Sequence, residues 1–135
     1  MQHIMVRGLM TLTVMVGAAV LEPAPATAQQ AGLEGAWSGG GSVRFPSGET
    51  ERARCRANFS RRGSGSFSMS AVCATASLRV QQTALVAQTG PNRYVGNFVN
   101  DEYGISGSIQ ITLKGKSLNA SLAGGGGSAT MSMSR

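Results

Sequence analysis

Ala53-Arg54-Cys55-Arg56-Ala57-Asn58-Phe59-Ser60, then Arg61-Arg62-Gly63-Ser64-Gly65, then Ser66-Phe67-Ser68-Met69-Ser70-Ala71-Val72-Cys73: this stretch decides the fold. Bending the chain back at Arg62-Gly63-Ser64-Gly65 sets Cys55 against Cys73, Ala57 against Ala71 and Phe59 against Met69. The apolar residues then share one face, and arginine, asparagine and serine take the other. That is the two-residue period of a half-buried strand. The reading is a β-hairpin stapled by a Cys55–Cys73 disulfide. A slip of one residue would turn a whole strand inside out, so the matched faces fix the register.

The same alternation fills the rest of the chain. Segments at about 36–45, 50–60, 65–73, 77–86, 93–100, 103–113, 117–123 and 128–134 alternate, with Gly, Pro and Asn clusters between them. A Lys114-Gly115-Lys116 turn pairs Leu113 with Leu118 and Ile111 with Ala120. The Gly124–Gly127 loop pairs Leu122 with Ala129, Ala120 with Met131 and Leu118 with Met133. An Asp101-Glu102 loop pairs Phe98 with Ile105, Gly96 with Gly107 and Tyr94 with Ile109. Phe45, Leu78 and Val80 also fall on the inner face. One apolar face joined by short hairpins is an up-and-down meander. With no helix to cover the edges, the expected fold is all-β: eight antiparallel strands closed into a small barrel over 35–135, with a two-sheet sandwich as the alternative.

Ahead of the barrel, residues 1–28 read as a secretory signal peptide. Arg7 supplies the charge, Leu9 to Leu21 the apolar run, and Ala26-Thr27-Ala28 the small-residue cleavage pattern. The run is too short for a membrane helix. Residues 29–34 read as a short flexible segment. Losing Arg7 and Glu22 with the leader leaves eleven Lys and Arg against five Asp and Glu, so the net charge stays +6. The expected location is periplasmic or extracellular, where a disulfide persists. A membrane barrel is disfavoured, because such barrels carry apolar residues outward and polar residues within.

Gly35-Ala36-Trp37 opens the first strand. This resembles the start of the calycin barrels: lipocalins, avidins and small bacterial metalloprotease inhibitors. The resemblance implies a basic residue of the last strand packed across the tryptophan, and antiparallel closure nominates Arg135 over Trp37. Trp37-Ser38-Gly39-Gly40-Gly41, Ala53-Arg54-Cys55-Arg56-Ala57 and Cys73-Ala74-Thr75-Ala76 are similar to small exported proteins of alphaproteobacteria, rhizobial lineages especially, with no established activity. That likeness implies fold and compartment and brings no catalytic residue.

The inventory of reactive groups points away from catalysis. His3, the only histidine, lies in the leader. The mature acids, Glu34, Glu49, Glu51, Asp101 and Glu102, form no paired site, and no cluster has metal-ligand spacing. Gly39–Gly41 lacks the lysine and following helix of a phosphate loop. No enzyme, cofactor or metal is expected. The outward feature is Arg52, Arg54 and Arg56, which period two places on the solvent face of strand two, opposite Ser42, Gly40 and Ser38. Such a stripe suits phosphate, sulfate or carboxylate groups of an anionic envelope component or polysaccharide. With no aromatic between the arginines, nucleic acid is not expected.

Glu51, Gln82 and Asn100 are polar residues on the inner face. Each needs a partner, water or a ligand. Inward Gly39, Gly41, Gly96 and Gly107 either leave a void beside them or let the strands bend, and a barrel filled by side chains is the expectation. The leading functional expectation is a binding protein working through its arginine stripe. A periplasmic protease inhibitor is the alternative, weakened by the shortness of 29–34. A carrier of small ligands comes third.

Overall fold

The computed structural model describes Met15, residues 17–21 and residues 32–135. The predicted leader lies largely outside the described residues, as do 29–31. Eight strands follow in order: β1 (Gly35–Arg44), β2 (Thr50–Gly63), β3 (Ser66–Ala74), β4 (Arg79–Gly90), β5 (Arg93–Asn100), β6 (Ile105–Lys114), β7 (Ser117–Gly124) and β8 (Gly127–Ser134). Each pairs antiparallel with the next, and β1 pairs with β8 from Ser38↔Ser134 to Arg44↔Ser128. The sheet is therefore a closed barrel, not a sandwich, and closure leaves no unpaired edge.

The β2–β3 hairpin has the register read from the sequence. Cys55 pairs with Cys73, Ala57 with Ala71 and Phe59 with Met69. The Cys55–Cys73 disulfide bridges the two strands, with Cα atoms 4.1 Å apart. Both hairpins of β6–β7–β8 also pair as expected. Two strands run longer than the alternation implied. β2 reaches Gly63 and β4 reaches Gly90, each through a bulge near its end.

The β5–β6 hairpin departs from the expected pairing by two residues. Asn100 pairs with Ile105, Phe98 with Gly107, and Tyr94 with Ile111. The turn takes four residues, Asp101 to Gly104, rather than two. Gly104 adopts φ 62°, and the Asn100 side-chain oxygen accepts a hydrogen bond from the Tyr103 amide at 3.2 Å. A left-handed glycine after such a turn is the usual longer-hairpin solution. A shift of two leaves every side chain on its own face, so the core prediction survives the error.

The inner glycines bend the wall instead of opening it. A Cβ on Gly41 would lie 1.8 Å from the Thr130 carbonyl oxygen, and one on Gly96 would lie 1.8 Å from that of Leu85. Gly39 and Gly107 meet neighbouring backbone in the same way. The strands come so close at these points that no side chain fits, which lets a small barrel turn its corners.

Candidate functional site

The two ends of the barrel differ. One end is filled. Leu33 and Trp37 are buried there beside Phe59, and the Trp37 indole Nε1 donates to the Leu33 carbonyl at 2.9 Å. The Arg135 guanidinium lies 4.1 Å from the Trp37 ring centroid. It also donates to the Glu34 carbonyl at 2.8 Å and to the Gly32 carbonyl. Gly32–Glu34 is thus held as a plug across this end. Arg61 caps Phe67 at 5.1 Å and faces Glu34 at 3.9 Å, and Phe67 meets Tyr94 edge-on at 5.5 Å.

The other end is open. A pocket of about 270 Å³ enters the barrel between the β1–β2, β3–β4, β5–β6 and β7–β8 loops. Its wall is mainly apolar: Val43, Phe45, Leu78, Val80, Phe98, Ile105, Leu122 and Met131. Val43, Val80, Ile105 and Ala129 are only partly buried, because the space beside them is empty of protein. The expectation of a barrel filled throughout therefore holds for the Trp37 end and fails for the mouth. Trp37, Phe59, Phe67 and Tyr94 crowd one end, whereas at the mouth the larger Phe98, Ile105, Leu122 and Met131 share the wall with the small Val43, Val80, Ala129, Gly124 and Gly127.

The three inward polar residues all belong to the mouth half, with different fates. Asn100 is buried and satisfied by the β5–β6 turn. Glu51 leaves the cavity and binds the β3–β4 loop. Its carboxylate accepts from the Ser77 hydroxyl at 2.7 and 2.9 Å and from the Ser77 amide at 3.1 Å. Those hydrogen bonds from Ser77, with a contribution from Thr75, hold the Glu51 carboxyl below its usual acidity range. Gln82 lines the pocket. The side-chain hydrogen bonds around the mouth belong to Ser47, Glu51, Thr75, Ser77 and Asn100, and Gln82 takes part in none of them. Among the described residues its side-chain amide has no hydrogen-bond partner, so it stands as a polar group in the pocket wall.

Outside, Arg52, Arg54 and Arg56 stand exposed in a row on β2, facing Ser42, Gly40 and Ser38 of β1. They form one wall of an open groove of about 1500 Å³ whose other wall is Asn119, Ser121, Thr130 and Ser132. A fourth arginine joins them. Arg54 pairs with Ala74 and Ala74 with Arg79, so Arg79 projects on the same face two strands away. Sequence reading missed Arg79 because it sits in a different strand, and missed the plug role of Leu33 because three residues carry no period. The β3–β4 register, extended outward from the hairpin, was the signal that would have found Arg79.

No protein-family model and no curated protein sequence matches the chain. Solved structures do. A redesigned β-barrel, mFAP1, bound to DFHBI superposes with a TM-score of 0.65 at 14% identity, over 76% of this chain and 94% of that one. Another redesigned barrel, mFAP0, also bound to DFHBI, gives 0.66 at 15% identity, over 76% and 98%. A fluorescence-activating β-barrel designed de novo gives 0.61 at 12%, over 77% and 94%. These likenesses are to the fold: a small eight-stranded barrel. They identify no family of exported rhizobial-type proteins, and the kinship drawn from the tryptophan and cysteine motifs remains one of motifs.

Proposed function

We propose that the protein is an exported binding protein that catalyses no reaction and holds a small, largely apolar molecule in the open mouth of its barrel. The observation that carries this reading is the 270 Å³ pocket, walled by Val43, Val80, Phe98, Ile105 and Met131, with Gln82 in its lining. Its size lies just below that usual for small-molecule sites, which are concave, mainly apolar and supplied with few polar groups. Two or three fused or linked rings fill such a space, with one polar edge meeting Gln82. Redesigned barrels of similar fold are bound to DFHBI, a precedent for a ligand on this scaffold.

The test is a titration with N-phenyl-1-naphthylamine, a neutral probe that brightens in apolar surroundings. Wild-type protein is expected to bind it saturably. Ala129→Phe, which fills the pocket from β8, is expected to abolish the signal while the barrel stays folded. Equal binding by the filled variant refutes the reading.

A second reading rests on the exposed row Arg52, Arg54 and Arg56. It assigns the outer face of β2 to anionic envelope or polysaccharide groups, recognised by charge-assisted contacts from the guanidinium groups. The two sites are on opposite sides of the wall and do not exclude each other.

A further inference from the structure

Resting on the arginine reading, we infer that the groove along the outside of β1 seats a linear polyanion, an anionic polysaccharide lying lengthwise beside the arginine row. The floor of the groove is Ser38, Gly40 and Ser42. Gly40 carries no side chain, and a Cβ there would lie 2.7 Å from the Ala53 carbonyl oxygen. The floor is therefore low, while the neighbouring β2 carries three of the longest side chains. Alternate residues of a strand recur about every 7 Å. A single anion meets one guanidinium of such a row, whereas a chain with a charge on each repeating unit meets several.

Among the described residues the charge on this wall is unmatched: no carboxylate lines the groove, and the ion pair joins Arg61 to Glu34 elsewhere. Arg79 extends the positive field past the small Ala74, so the partner is drawn in from the β4 side as well. The opposite wall is neutral and hydrogen-bonding. Ser132 donates to the Asn119 side-chain oxygen at 2.8 Å, and Thr130 faces Ser42. A polymer with anionic groups along one edge and hydroxyls along the other matches both walls. Nucleic acid lacks its stacking platform, because no aromatic residue lines the groove. A lipid surface lacks an anchor, because the outward apolar residues there are the short Val72 and Ala74.

The test uses heparin-derived oligosaccharides of increasing length, with oligo(dT) and phosphatidylglycerol vesicles as competitors, on four proteins. Wild type is expected to bind the oligosaccharides with affinity that rises with length and falls steeply with salt. Arg79→Ser is expected to weaken the longer oligosaccharides about tenfold, the loss of one charge-assisted contact. The double variant Ser38→Tyr/Ser42→Tyr keeps every charge and fills the floor; it is expected to lose the length dependence. If it binds like wild type, the groove is not the seat and this inference fails while the arginine reading stands. If instead the triple variant Arg52→Ser/Arg54→Ser/Arg56→Ser binds like wild type, the arginine reading fails with it. Preference for oligo(dT) or for vesicles over the oligosaccharides overturns the polysaccharide assignment. Circular dichroism on each variant establishes that the barrel is intact.

Discussion

The Arg135 guanidinium stacks 4.1 Å above the ring of Trp37 and at the same time donates to the carbonyl of Glu34, the residue immediately before β1. One side chain thus ties the end of β8 to the segment entering β1. The contact joins the two strands whose pairing closes the barrel. Truncation of a buried tryptophan costs about 3–5 kcal/mol, so Trp37→Ala is expected to be severely destabilising in chemical denaturation. Arg135→Ala is expected to cost about 1–2 kcal/mol, from the cation–π contact and the partly exposed hydrogen bonds. The double variant should cost less than the sum, by at least about 0.5 kcal/mol. Strict additivity would mean that the stacking contributes nothing.

The disulfide joins directly paired residues of β2 and β3. Closing a loop of this length lowers the entropy of the unfolded chain by an amount worth about 3 kcal/mol. Non-reducing peptide mapping should recover the Cys55–Cys73 link. The Cys55→Ala/Cys73→Ala variant should unfold at lower denaturant with a stability loss near that figure. Two free thiols in folded protein would show that the Cys55–Cys73 bond does not form.

The bent wall makes a sharp contrast among glycines. Gly96→Ala puts a methyl group 1.8 Å from the Leu85 carbonyl oxygen, and the obstacle is backbone. Overpacking of this kind costs about 1–3 kcal/mol or more. A methyl on Gly90 meets nothing within 4 Å. Gly90→Ala is expected to be neutral or to stabilise by up to about 1 kcal/mol through the unfolded state. Equal melting temperatures for the two variants would contradict the close strand approach.

Glu51 gives the barrel mouth a dependence on pH. Hydrogen bonds from Ser77, and then Thr75, hold its carboxyl below the usual value of 4.5. A carboxyl with a lowered folded-state pKa adds stability that is present above the unfolded value and is lost as pH falls through the folded one. Stability of wild type should therefore decline below about pH 4.5 more than that of Glu51→Gln. Parallel acid-denaturation curves for the two proteins would show that the Glu51–Ser77 contact does not form in solution.

Much of this fold was legible because the hairpins constrain one another. Cys55–Cys73, Leu113–Leu118 and Leu122–Ala129 each place apolar on apolar, and a strand shared by two hairpins must satisfy both. The β5–β6 turn escaped because a two-residue and a four-residue loop put Phe98 on the same face; only the Asn100–Tyr103 hydrogen bond and the left-handed Gly104 distinguish them. The arginine row was legible from period two alone. The pocket was not, since its volume depends on how far Val43, Val80 and Ile105 fall short of the barrel axis once the glycines have bent the wall. Alternation records which face a residue takes and carries no information about the space left in front of it.

Backbone amide NMR during titration with N-phenyl-1-naphthylamine tests the central claim most directly. If the mouth pocket is the ligand site, shifts will concentrate at Val43, Val80, Gln82, Phe98, Ile105 and Ala129, and Trp37 at the plugged end will stay unmoved. Saturable shifts centred on Trp37 or on the outer face of β2, or no shifts at probe saturation, would contradict a ligand site within the barrel.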